Sequence, residues 1–230
     1  MISMVEIIPS LPAQTFQELK IKTGLVRGLV STFQIDVADG MFVTSRSWPM
    51  NPGDKEQFKR LVRGDEKLPF SDEIFYEVHF MAHNPEKLLP DWIRLGVVRA
   101  FFHIEARHDF SELSALATKG EVELGVSLKI GTPIERIDQY MQNISVVQLM
   151  GIDAIGMQGQ PFDERVIDMI RAVKARYPNV TIQVDGSVNR ETGPSLVQAG
   201  ASRLAPGSFV LSSDDPAAAI DTLKHVAIFE

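Results

Sequence analysis

Short runs of β-branched and apolar residues alternate with longer segments of helical spacing from one end of the chain to the other. Runs at 5–9, 29–37, 74–81, 99–104, 122–128, 145–150, 180–184 and 202–204 read as buried strands. Between them, Phe58, Leu61 and Val62 recur at the spacing of one helical face. So do Leu88, Leu89, Trp92 and Ile93, and then Val166, Ile167, Ile170 and Val173. Asn84-Pro85, Thr132-Pro133 and Asp215-Pro216 each pair a capping residue with a first-turn proline, which predicts a helix start. Gly24, Gly96, Gly120 and Gly200 fall where a helix is expected to stop.

Eight strand-then-helix units in 230 residues predict a parallel sheet covered by helices. That count matches a single (β/α)8 TIM barrel, a fold of about 250 residues. The competing open sheet of the Rossmann type would carry Gly-x-Gly-x-x-Gly after its first strand, and none stands there. No linker or low-complexity tract divides the chain, so residues 1–230 are expected to form one domain.

A barrel holds its functional groups at the C-terminal ends of its strands. Polar residues gather at those ends here. Ser10 closes strand 1, and strand 2 reads Gln34-Ile35-Asp36-Val37-Ala38, whose period-2 alternation puts Gln34 and Asp36 on one face. Strand 3 carries Glu77 and His79, strand 4 ends in His103 and Glu105, and strand 7 ends in Gln183 and Asp185. Asp36, His79 and Asp185 at corresponding ends suit either of two chemistries. They are oxygen and nitrogen ligands for a divalent ion, and the carboxylates are also a proton-transfer pair. Later glycines, at 156–160, Gly186-Ser187 and Gly207-Ser208, let backbone N–H groups approach an anion. His83 and His108 lie beyond strands 3 and 4 and read as solvated loop histidines.

Composition narrows the chemistry further. The chain has no cysteine, so disulfides, thiolate metal sites and cysteine nucleophiles are excluded together. Its net charge of −7 argues against nucleic acid as a partner. No run reaches the roughly 18 apolar residues of a membrane span, and the N-terminus lacks the pattern of a secretory leader, so a cytoplasmic protein is expected.

The ordered motifs resemble the ribulose-phosphate 3-epimerase family over nearly the whole chain. Ile8-Pro9-Ser10 is similar to its Ala-Pro-Ser strand, and residues 34–43 to its His-x-Asp-x-Met-Asp-Gly-x-Phe-Val. Val78-His79-Phe80-Met81 resembles Val-His-Leu-Met, 102–106 keeps Phe-His-x-Glu-Ala, and Gly131-Thr132-Pro133 keeps part of Pro-Gly-Thr-Pro. Residues 183–189 resemble Glu-Val-Asp-Gly-Gly-Ile-Asn, and Pro206-Gly207-Ser208 resembles Ala-Gly-Ser.

The resemblance implies a ketose-phosphate 3-epimerase whose Asp36 and Asp185 pass the C3 proton through an enediolate. It implies a divalent ion (Zn, Mn, Fe or Mg) on Asp36, His79 and Asp185, with Gln34 a weak fourth ligand in place of histidine. A sugar phosphate would meet Ser10, His79, Met81, Met150, Gly156, Gly159, Gly186, Ser187, Gly207 and Ser208. It also implies a homo-oligomer. Another sugar phosphate, such as a hexulose phosphate, and a non-catalytic sugar-phosphate binder are the alternatives. Three departures stand out: Ala38 replaces methionine and is expected to widen one wall; 150–160 is one residue longer and puts Gln158 at a glycine position; 44–51 diverges and contains Trp48. The decarboxylase branch of these barrels needs a lysine where Val37 stands, and Lys129 is the only strand-end lysine for a Schiff base.

Overall fold

The computed structural model describes residues 5–225. Its strands are β1 (Glu6–Ile7), β2 (Ser10–Leu11), β3 (Thr32–Ala38), β4 (Phe75–Met81), β5 (Arg99–His103), β6 (Glu123–Leu128), β7 (Val146–Met150), β8 (Thr181–Asp185) and β9 (Arg203–Ala205). All pairs are parallel, in the order β1-β9-β8-β7-β6-β5-β4-β3-β2. β1 and β2 are two pieces of one strand parted at Ile8-Pro9. The first half pairs with β9 and the second with β3, and this join closes the sheet into a barrel. The proline explains the split: it has no N–H for the ladder, while its carbonyl still accepts from Gln34 N.

Helices α1 (Phe16–Val26), α2 (Lys55–Arg63), α3 (Leu89–Arg94), α4 (Phe110–Lys119), α5 (Arg165–Arg176), α6 (Gly193–Ala199), α7 (Ser208–Leu211) and α8 (Pro216–Lys224) follow the strands. The Thr15, Asp109 and Asp215 side chains cap α1, α4 and α8 by accepting backbone N–H bonds. The faces expected to be apolar are the ones buried: Leu61 in α2, Leu89 and Trp92 in α3, and Val166, Ile170 and Val173 in α5. No helix among the described residues is long and apolar enough to cross a membrane.

Three local expectations are corrected. Gly24 lies inside α1, where a Cβ would stand 3.5 Å from the Phe70 ring, an ordinary contact; the helix stops instead at Arg27 and at Gly28, whose φ is +76°. Thr132-Pro133 opens a 3-10 helix, Ile134–Tyr140, rather than an α-helix, and Asn84-Pro85 opens a 3-10 turn, Pro85–Lys87, that precedes α3. The strand expected from residue 29 begins at Thr32, because Leu29 and Val30 still bond back to Val26.

Alternation sends Phe33, Ile35 and Val37 outward into the main apolar core and turns Gln34 and Asp36 into the barrel. Trp48 sits in that core, fully buried and edge-on to Phe58 and Trp92, with its Nε1 donating to Gln57 at 2.9 Å. Inside the barrel a layer of charge lies toward the N-terminal ends of the strands. Arg99 bridges Glu77 and Glu123, and Arg203 bridges Glu123 and Glu6. Barrel interiors are normally branched and apolar. Here Phe101 fills the space above, and only a glycine leaves it room: a Cβ at Gly125 would lie 2.5 Å from its ring.

Candidate active site

The barrel register aligns Asp36 on β3 with His79 on β4, and places Asp185 at the end of β8. Their side chains converge. His79 Nδ1 lies 3.2 Å from Asp36 Oδ1 and 3.5 Å from Asp185 Oδ2. Ser10 Oγ donates to Asp185 Oδ1 at 3.2 Å. Gln34 sits below, fully buried, with Nε2 2.8 Å from Asp36 Oδ1 and 2.8 Å from Asp185 Oδ2.

A row of hydrogen bonds supports His79 from behind. Its Nε2 lies 3.0 Å from His103 Nε2, and His103 Nδ1 lies 3.2 Å from Glu105 Oε2. Glu105 accepts further bonds from Lys129 N and Thr132 Oγ1. Phe42 packs on His103 at 5.1 Å and lies under the Lys129 ammonium, 4.7 Å from its ring centre.

Burial and charge set the protonation behaviour of this group. Burial, with the neighbouring Asp185 charge, raises Asp36 to about 6 against the pull of His79 and Gln34. Burial alone would lower His79, but hydrogen bonds to Asp185 and Asp36 outweigh it and raise its pKa to about 9. His103, equally buried, is pushed down to about 4 despite Glu105. The order that follows is an imidazolium at His79 donating to the carboxylates and to the lone pair of a neutral His103.

A cavity of about 540 Å3 opens over the two aspartates. Ser10, Asp36, Met81, Met150, Gly156, Gly159, Asp185, Gly186, Ser187, Gly207 and Ser208 all line it. His79 and Gln34 do not; both are buried beneath it. Gly207 leaves room for Gln158, since a Cβ there would fall 2.6 Å from Gln158 Nε2 and push that side chain aside. Gln158 itself donates to the Ser10 carbonyl at 3.3 Å. At Gly151 a Cβ would lie 2.3 Å from the Gly186 carbonyl, so the chain just past β7 meets the chain just past β8 without side chains between them.

Three expectations about the site change. Ala38 is not itself on the cavity wall: it is buried behind it, in an apolar cluster with Val43, Met81, Met150, Ile152 and Ile155, of which Met81, Met150 and Ile152 line the cavity. His83 and His108 are half-buried and bonded rather than solvated. His83 accepts from Arg107 N at 3.0 Å, and His108 bridges the Ala106 carbonyl and Tyr140. Gln34 presents a nitrogen, not an oxygen, to the aspartates. Sequence reasoning places Gln183 and Glu77 on polar strand faces without giving them a role and misses Gln148; the three form a polar row under the site. Period-2 alternation holds the signal, because Gln183 shares a face with Asp185 and Glu77 with His79.

Asp36, His79 and Asp185 could hold a metal ion, each offering a ligand atom within 4.8 Å of the others. Tetrahedral bonds of about 2.0–2.1 Å set ligand atoms roughly 3.3 Å apart. The separations of 3.2 and 3.5 Å from His79 Nδ1 match that spacing.

Comparison with known proteins bears on family and fold. The ribulose-phosphate 3-epimerase family model matches residues 6–211. The chain is 30% identical to a ribulose-phosphate 3-epimerase of Bacillus subtilis, over 96% of this chain and 99% of that one. It is 27% identical to one of Candida glabrata, over 95% and 91% of the two chains. Its fold is similar to a KGPDC of Streptococcus mutans, with a TM-score of 0.69 at 12% identity, covering 98% of each chain. The chain belongs to the ribulose-phosphate 3-epimerase family, whose members are isomerases acting on sugar phosphates.

Proposed function

We propose that the chain interconverts the C3 epimers of a ketopentose phosphate, ribulose 5-phosphate and xylulose 5-phosphate, with Asp36 and Asp185 as the acid and base. The observation that carries this is the pair itself. Two carboxylates share one amide and one imidazole, are almost fully enclosed, and still open on the same cavity. The cavity is of the size typical for small-molecule sites.

One aspartate, ionised, takes the C3 proton, and the C3–H electron pair moves into an enediolate. The other, protonated, returns a proton to C3 from the opposite face. Which residue starts depends on the epimer bound. An Asp36 pKa near 6 suits a base that must both take and release a proton near neutral pH. Asp36, His79 and Asp185 would hold a divalent ion, which when bound polarises the substrate carbonyl and supports the enediolate charge. Ser10 fixes Asp185 by its hydrogen bond. Gly186, Ser187, Gly207 and Ser208 on the cavity wall would receive the phosphate through backbone N–H groups.

The test is exchange of substrate hydrogen with solvent deuterium. A ketopentose phosphate in D2O should lose its C3 proton signal and yield the epimer, and Asp185→Asn should abolish both. Exchange confined to a ketohexose phosphate would keep the chemistry and correct the substrate. Absence of exchange with either sugar phosphate, with divalent metal added, would overturn the proposal.

A further inference from the structure

The carboxamide of Gln34 has a donor end and an acceptor end, and each has its own partners. The Nε2 donates to Asp36 and Asp185, and the Oε1 accepts from Gln183 Nε2 at 2.9 Å. Gln183 Nε2 also faces Glu77 Oε1 at 2.6 Å and Gln148 Oε1 at 3.0 Å. Gln34, Glu77, Gln148 and Gln183 are all fully buried, and the Oε1 of Gln183 has no partner among the described residues.

That orphan oxygen is the cost of the orientation; the Glu77 carboxylate, the nearest of three acceptors that share the two Nε2 hydrogens of Gln183, is what fixes it. Turning Gln183 over would bring its Oε1 against the Glu77 carboxylate, which is ion-paired to Arg99. Two acceptors in contact in a dry interior repel and leave both unsatisfied. Gln183 therefore stays a donor toward Gln34. Gln34 Oε1 stays its acceptor, and Gln34 Nε2 stays aimed at the aspartates. The same conclusion follows from the other end, because an amide oxygen 2.8 Å from two carboxylate oxygens would be repelled by both.

We infer that Gln34 is a positioning residue that ties Asp36 to Asp185 through both hydrogens of its amide, locked in that sense by Gln183 and Glu77, so that a divalent ion must break this row in order to bind. The inference rests on Asp36 and Asp185 being the working pair. An ion on the two aspartates meets the Nε2 hydrogens of Gln34. Rotating the amide to offer Oε1 instead sets its NH2 against the NH2 of Gln183, donor against donor. Either way a buried hydrogen bond is lost. In the unbroken row the amide performs one task that a shared ion performs, holding the two carboxylates at a fixed separation. Gln34 and Gln183 are also the two positions on these strands where the family motifs read His and Glu.

The test is a metal titration of the chelator-treated chain with Co2+, followed by visible absorption, and with Zn2+, followed by calorimetry. Gln34→His/Gln183→Glu should bind one equivalent at least about 100-fold more tightly than the wild type. Gln183→Met, which frees Gln34 Oε1 and adds no ligand, should tighten binding about tenfold, and it serves if the double variant does not fold. In the chelator-treated state Gln34→Leu should lower kcat with KM little changed, which separates positioning from substrate binding. A wild type that binds either ion as tightly as both variants would overturn the inference. Loss of wild-type deuterium exchange would instead overturn the reading of Asp36 and Asp185, and the titration reads the amide row whichever way that falls.

Discussion

The barrel interior holds two charged layers, and they are built on opposite plans. Toward the N-terminal ends of the strands, Glu6, Glu77 and Glu123 alternate with Arg99 and Arg203, so every carboxylate touches a guanidinium. Toward the C-terminal ends, Asp36 and Asp185 meet one imidazole and a neutral amide, under an open cavity. The lower layer is compensated and closed. The upper layer buries two like charges close together; burial first, and the Asp185 charge second, raise Asp36 and leave a proton in play. Stability and chemistry are thus divided between the two ends of one barrel, and Gln183 and Gln34 connect them.

That division can be broken from either end. The largest effect on activity should come from Asp185→Asn, which should lower epimerisation about 1000-fold or more. Its thermal midpoint should fall only slightly, since losing one carboxylate partner of His79 is offset by neutralising one of two crowded carboxylates; a large drop would mean that Asp185 is chiefly structural. Arg99→Met should do the reverse. It leaves Glu77 buried without its cation and should cost about 3–5 kcal/mol in urea unfolding. Activity per folded molecule should fall far less than with Asp185→Asn, and equal losses would erase the distinction between the layers.

The pH dependence sharpens the same contrast. With Asp36 near 6, kcat/KM should fall about tenfold per unit as pH drops below that value, because the base becomes protonated. His79 works in the other direction on stability. Its folded pKa of about 9 lies above the ordinary 6.5, so its contribution is full below about 6.5 and is lost as pH rises through 9. Replacing His79 by Gln should remove that alkaline loss from a plot of unfolding free energy against pH. The smallest effect should be at the cavity wall. Gly207→Ala presses on Gln158, a flexible side chain, and should cost about 1 kcal/mol, read as a several-fold rise in KM with kcat retained.

Much of this arrangement is legible in the sequence because it depends on local period. Alternation along β3 sets Gln34 and Asp36 on one face, and the same rule brings His79 and Asp185 inward. The orientation of an amide is not a local property. Gln34 reads as a metal ligand from its position, yet its nitrogen faces the aspartates because Gln183, 149 residues away, supplies a donor to its oxygen. Gln183 in turn is set by Glu77, 106 residues from it. Gly24 misleads for a different reason: in sequence it reads as a helix stop, while the positive φ that ends α1 falls four residues later, at Gly28. Ala38 reads as part of the wall itself, while the fold buries it behind Met81 and Met150, which do line the cavity.

The central claim is that Asp36 and Asp185 pass a proton across one carbon of a ketose phosphate. Proton NMR of a ketopentose phosphate in D2O with wild type and Asp185→Asn tests it most directly. The C3 signal should be lost with the wild type and persist with a folded Asp185→Asn. Undiminished exchange in that variant, or none in the wild type with either a ketopentose or a ketohexose phosphate, would contradict it.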